Sequence, residues 1–160
     1  MSRSASEDVA AALGLLLQRS FRVHLYGRLT KGVAPGLDET TYPVLSGIDR
    51  AGPCSAADLA LAVGLDRSGV SRRATRLEQA GLLSRQPDPR DARVVLLILT
   101  AAGEQALAVM RARLADAISD SFSSWPAGQA EAFASALSRF VSDGPFRQPP
   151  RADTDESAHR

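Results

Sequence analysis

The sequence predicts a mainly α-helical chain with a small β-wing: a winged helix-turn-helix flanked by long N- and C-terminal helices suited to dimerisation. Three observations predict it. Two short helical patterns meet at Gly64, an arginine-bearing turn separates two strand-sized runs, and apolar stripes at helical spacing extend at both ends.

The first stripe runs from about Ser6 to Leu29. Val9, Leu13, Leu16, Ser20 and Val23 recur on one side, widened by Leu17, Phe21 and Leu25, so one long first helix is expected. Pro35 and its flanking glycines interrupt it, and Asp38 is a candidate N-cap for a second helix to about Arg50. Ser55 and Asp58 stand at capping-box spacing before a short third helix, which Gly64 suits as the left-handed closing residue. Asp66 can cap a fourth helix, Arg67 to Ala80, ended by Gly81. Leu82 to Gln86 and Arg93 to Leu99 read as strands around the turn-rich Pro87 to Ala92. Thr100 can cap a long helix with Leu107, Met110, Leu114 and Ile118 in register, ending near Ser124. Pro126 opens a last helix with Phe133, Leu137, Phe140 and Val141 turned inward, and Asp143, Gly144 and Pro145 close it. The expected organisation is therefore an N-terminal dimerisation helix over 1–34, a winged helix-turn-helix over 35–100, dimerisation helices over 101–144 and a disordered tail over 145–160.

Composition limits the function classes. With 160 residues, 44% hydrophobic and 23% charged, one domain with helical extensions is expected. A net charge of +1 does not itself suggest nucleic acid, so any basic surface must come from where the arginines sit. The single cysteine, Cys54, excludes an internal disulfide and a cysteine-based zinc cluster within one chain, and neither a metal nor a cofactor is expected. No N-terminal stretch has signal-peptide order and no apolar run approaches the ~20 residues of a membrane span, so the expected location is cytoplasmic, without membrane association.

The fourth helix has the makeup of a major-groove reader. Val70, Ala74 and Leu77 share an apolar side, while Ser68, Ser71, Arg72, Thr75, Arg76 and Gln79 lie opposite. Arginine pairs bidentately with guanine or clamps phosphate, and Ser68 sits where the helix dipole favours an anion. Glu78 is the sole carboxylate between Arg67 and Arg85, which separates this helix from an ordinary solvated charged face. Arg73 flanks the apolar side and is expected on backbone phosphate or a neighbouring carboxylate. In the turn, Arg90 and Arg93 can enter the minor groove, with Asp88 and Asp91 holding them in place or capping the turn.

These residues resemble the multiple-antibiotic-resistance regulator (MarR) family. The stretch from Asp66 to Arg85 is similar to its recognition helix running into the wing. Asp88-Pro89-Arg90-Asp91-Ala92-Arg93 is similar to its wing signature, and Leu99-Thr100-Ala101-Ala102-Gly103 to its following helix start. The resemblance implies a homodimer of interlocking terminal helices on a palindromic operator of double-stranded DNA. It also implies a repressor that a small-molecule effector or an oxidant releases. By position it makes Arg93 the minor-groove arginine, Asp91 its partner, and Ser68, Ser71, Arg72 and Arg76 the groove-facing set. It places an effector in a cleft beside the dimer helices, for which Phe21, His24, Tyr26 and Tyr42 are candidate lining residues. Two positions depart from the family: Arg73 stands where it is usually apolar, and Gly69 weakens the helix start.

Other classes have less behind them. His24 is alone outside the tail and no nucleophile motif or phosphate loop accompanies it, so an enzyme is not expected. Cys54 could serve a thiol-based sensor, but no basic residue adjoins it to favour the thiolate, so a small packing residue is the simpler reading. A winged helix used as a protein-interaction module would show a weaker salt dependence than a DNA-binding one.

Overall fold

The computed structural model describes residues 4–143, and the expected tail over 145–160 lies outside them. Among the described residues, seven helices and three short strands follow in order: α1 (Ala5–Leu17), α2 (Arg19–Thr30), α3 (Tyr42–Ala51), β1 (Cys54–Ser55), α4 (Ala56–Val63), α5 (Arg67–Gln79), β2 (Leu83–Pro87), β3 (Val95–Leu99), α6 (Ala101–Phe122) and α7 (Gln129–Asp143). The chain divides into two compact units, Met1–Ala117 and Ile118–Arg160.

In the first unit the helix-turn-helix forms as its caps dictate. The Ser55 hydroxyl accepts the Asp58 N–H at the start of α4, and Gly64 closes that helix in the left-handed region at φ 67°. The Asp66 carboxylate then accepts the Gly69 N–H at the start of α5. Val70, Ala74 and Leu77 of α5 are fully buried with Val44, Leu45 and Ile48 of α3 and Leu59 of α4. At ~1.5–3 kcal/mol per buried large aliphatic side chain, this cluster anchors the recognition element. The strands form an antiparallel sheet in the order β1-β3-β2, with Cys54 and Arg85 both opposite Leu97.

Several expectations are corrected. The single first helix is two, broken at Gln18, whose ψ of 138° is extended. No residue of α1 is buried, so no packing within the chain enforces continuation, and helices depend on such packing more than on propensity. Asp38 does not cap α3 itself. Its carboxylate takes the Thr40 and Thr41 N–H groups of a preceding turn, and Thr41 becomes the N-cap residue. Strand β1 is additional, and it buries Cys54 in the core as a small apolar residue, unlike the partly exposed sites of reactive thiolates.

Thr100 joins the wing to α6, accepting the Gly103 N–H at 3.1 Å and donating to the Gly81 carbonyl at 2.6 Å. Gly103, Ala106, Leu107 and Met110 are buried, so the first half of α6 packs with the winged unit, and the division between the two units falls inside this helix after Ala117. Arg113 donates to the carbonyls of Leu29 and Lys31, fixing the end of α2. In the second unit Phe122, Trp125 and Phe133 form an aromatic cluster with centroids 4.8–6.0 Å apart. The inward stripe expected of α7 is not covered by this unit: Phe133, Leu137 and Val141 are exposed and Phe140 is half-buried.

Candidate nucleic-acid interface

Helix α5 and the wing meet over one recess. A space of about 330 Å³ is lined by Arg67 and Ser71 of α5, Arg85 and Val95 of the wing strands, Arg93 of the wing turn and Ser55 at the start of α4, among others. Among the described residues, three guanidinium groups and no carboxylate line it. Arg85 and Arg93 are paired with carboxylates just outside that lining, Glu78 and Asp91, whereas Arg67 makes no ion pair among the described residues.

The wing arginine is held by a neighbouring carboxylate. The Arg93 side chain is 91% exposed, yet its Nε and Nη2 donate to the two Asp91 oxygens at 2.9 and 3.0 Å, and its N–H donates to the same carboxylate. The guanidinium, and then that N–H, hold the Asp91 carboxyl below the usual range. Asp88 accepts the Arg90 N–H at 2.8 Å, which closes the turn and leaves the Arg90 side chain exposed.

On α5 the expected residues divide. Arg72 is exposed and makes no hydrogen bond or ion pair among the described residues. Ser68 is exposed and its hydroxyl donates to the capping Asp66, whose carboxyl the Gly69 N–H and then Ser68 keep below the usual range. The Thr75 hydroxyl is engaged internally, donating to the Ser71 carbonyl and accepting from Arg85.

Arg76 is engaged within the chain. It pairs with Asp38 at 2.6 Å and donates to the Thr40 hydroxyl, so it braces α5 against the turn before α3 instead of standing free. Burial opposes ionisation of Asp38, but hydrogen bonds from Thr40, Arg76 and the Thr41 N–H outweigh it and leave the carboxyl far below its usual range.

Arg73 stands apart from the recess and instead lines a second cavity with residues of α2 and α3. Its Nη1 lies beside Gly69, where a β-carbon would stand 2.8 Å from it and 2.7 Å from the Asp66 Oδ1. The two departures from the family pattern are thus neighbours in space. Arg73 Nε is buried with no hydrogen-bond partner among the described residues.

That guanidinium lines a second cavity of about 550 Å³, together with Arg19, Arg22, Arg50, Tyr26 and Tyr42. The tyrosine rings sit 4.6 Å apart and tilted, and burial, followed by the neighbouring Tyr26, raises the Tyr42 pKa. Phe21 and His24 are exposed on α2 and do not line this cavity. Sequence reasoning missed Arg67 and Arg85. Arg67 precedes Ser71 and Thr75 in one i, i+4 row, a legible signal, whereas the inward reach of Arg85 depends on strand register.

Comparison with known proteins agrees with this geometry. The MarR family profile matches residues 36–94. The chain is 32% identical over 103 residues to the uncharacterised HTH-type transcriptional regulator YxaD of Bacillus subtilis, spanning 64% of this chain and 72% of that one. Among solved structures, it is similar to the transcriptional regulator Tm0710 of Thermotoga maritima, with TM-score 0.64 and 25% identity over 86% of this chain and 95% of that one. It is also similar to BpsR of Bordetella bronchiseptica, whose DNA binding is regulated by 6-hydroxynicotinic acid, with TM-score 0.53 and 25% identity over 81% and 98% of the two chains. Among the described residues no helix is long and apolar enough to cross a membrane, and no group of histidine, cysteine and carboxylate side chains is placed to hold a metal ion. With the profile match, the extended similarity to YxaD and the shared winged fold together, the chain belongs to the MarR family of DNA-binding transcriptional regulators.

Proposed function

We propose that this regulator is a homodimeric repressor that grips a palindromic operator with α5 and the wing of each protomer and is released by a small anionic effector. The observation that carries the DNA contact is the recess where Arg67 of α5 meets Arg93 of the wing turn, with no carboxylate in its lining. Arg72 reads base edges, Arg93 enters the minor groove, and Arg67, Arg90 and Ser68 meet phosphate. Arg76 contributes by holding α5 in place.

Dimerisation is supported by apolar side chains that the chain leaves uncovered: Leu15, Leu16, Leu17 and Phe21 in one unit, and Phe133, Leu137 and Val141 in the other. Obligate dimer interfaces bury such surface. Two protomers about a two-fold axis would set their recognition helices roughly 34 Å apart, one DNA turn.

The effector reading rests on the second cavity, whose volume suits a small molecule and whose four arginines, opposed by Glu39 alone, favour an anion beside the paired tyrosine rings. BpsR, which this chain resembles, is regulated by an aromatic carboxylate. The test is thermal denaturation and duplex binding with a panel of aromatic carboxylates. A binder is expected to raise Tm and weaken DNA binding, and Arg73→Ala to abolish both. Carboxylates that leave both measurements unchanged at millimolar concentration would exclude the effector reading, while DNA binding would stand on its own.

A further inference from the structure

We propose that Arg85, a wing residue outside the DNA-contacting set, is a positioning residue for DNA recognition: it locks the reading face of α5 at a fixed orientation to the wing. Its guanidinium reaches from β2 to three points on α5. It donates to the Thr75 hydroxyl at 2.9 Å and to the Ser71 carbonyl at 3.3 Å, and it pairs with Glu78 at 3.1 Å. These points lie along two turns of the helix, so they fix its rotation as well as its distance from the strand. Ser71 and Thr75 belong to the outer face of α5, and Thr75 in turn donates to the Ser71 carbonyl. The bonds therefore run from strand to helix face without a gap.

A protein that inserts two projections into adjacent grooves gains by having them pre-set, because ordering them on binding costs affinity. The β2–β3 pairing ties Arg85 directly to the strand that follows the Arg93 turn, so α5 and the wing turn share one frame. Glu78 has its place in this. It is the sole carboxylate between Arg67 and Arg85, and on a DNA-facing helix a bare carboxylate repels. Paired with Arg85, it anchors the brace instead.

The sign of one substitution separates this from simple electrostatics. Glu78→Gln removes a negative charge near DNA, so charge alone predicts tighter binding; loss of the brace predicts weaker binding. The experiment measures affinity and salt dependence of the full chain for a duplex selected from a random pool by the wild-type protein. Glu78→Gln and Thr75→Val are each expected to weaken binding about three- to tenfold, with Thr75→Ser near wild type. Arg85→Gln is expected to weaken it at least as much while the slope of log affinity against log salt stays unchanged. Tighter or unaltered binding by Glu78→Gln overturns the proposal. So does a slope shallower by about 0.9 or more for Arg85→Gln, which marks a direct phosphate contact. Should Arg85→Gln not fold, Glu78→Gln and the Thr75 pair decide the matter alone.

Discussion

Arginines on this surface differ in what holds them, and that decides what each can do. Arg93 is bonded through both carboxylate oxygens of Asp91 yet exposed, so on the proposed reading it would meet DNA already oriented. Arg93→Ala is expected to weaken binding to selected and random duplexes alike, whereas Arg72→Ala costs about 1–3 kcal/mol on the selected duplex and little on random sequence. Fluorescence anisotropy with both duplexes checks the division, and equal losses for Arg72→Ala on both would refute it. Arg76 behaves differently because Asp38 already claims it. The Asp38 carboxyl lies below its unfolded value, so its stabilising contribution is present above about pH 4 and fades as the pH falls further. Asp38→Ala is expected to cost about 1 kcal/mol at neutral pH, and its Tm deficit to narrow as the pH falls below about 4. At this scale the sequence displays which residues are basic but not which are spoken for: Asp38 lies far from Arg76 along the chain, and Arg73 lines the second cavity with residues distant in sequence.

Elements were far more legible than partners, since caps and stripes are local. Asp66, Ser55, Gly64 and Thr100 each act where their chemistry places them. What escaped was either too short for periodicity, as the two-residue β1, or set by packing, as the break at Gln18. The junction between wing and α6 illustrates the second kind. A β-carbon on Gly103 would collide with the Leu82 carbonyl oxygen, a backbone atom that cannot move aside alone. Gly103→Ala is expected to destabilise the chain by about 1–3 kcal/mol, seen as a lower urea midpoint with unchanged m-value. Full wild-type stability would show that the wing and α6 can part without cost.

For the molecule as a whole, winged fold and MarR resemblance could both be read before any coordinates, because the wing signature and the following helix start are contiguous in sequence. The uncovered apolar residues of α1, α2 and α7 make the strongest demand for a second copy. Sedimentation at micromolar concentration is expected to give a dimer, and a monomer there would leave that surface unexplained. DNA recognition by α5 and the wing is tested most directly by the salt dependence of duplex binding, measured for wild type and for Arg67→Ala combined with Arg93→Ala. The recess predicts a steep wild-type slope of about −5 or beyond, made shallower by about 0.9 for each phosphate that the double variant no longer neutralises. A shallow slope that the double substitution leaves untouched would contradict it.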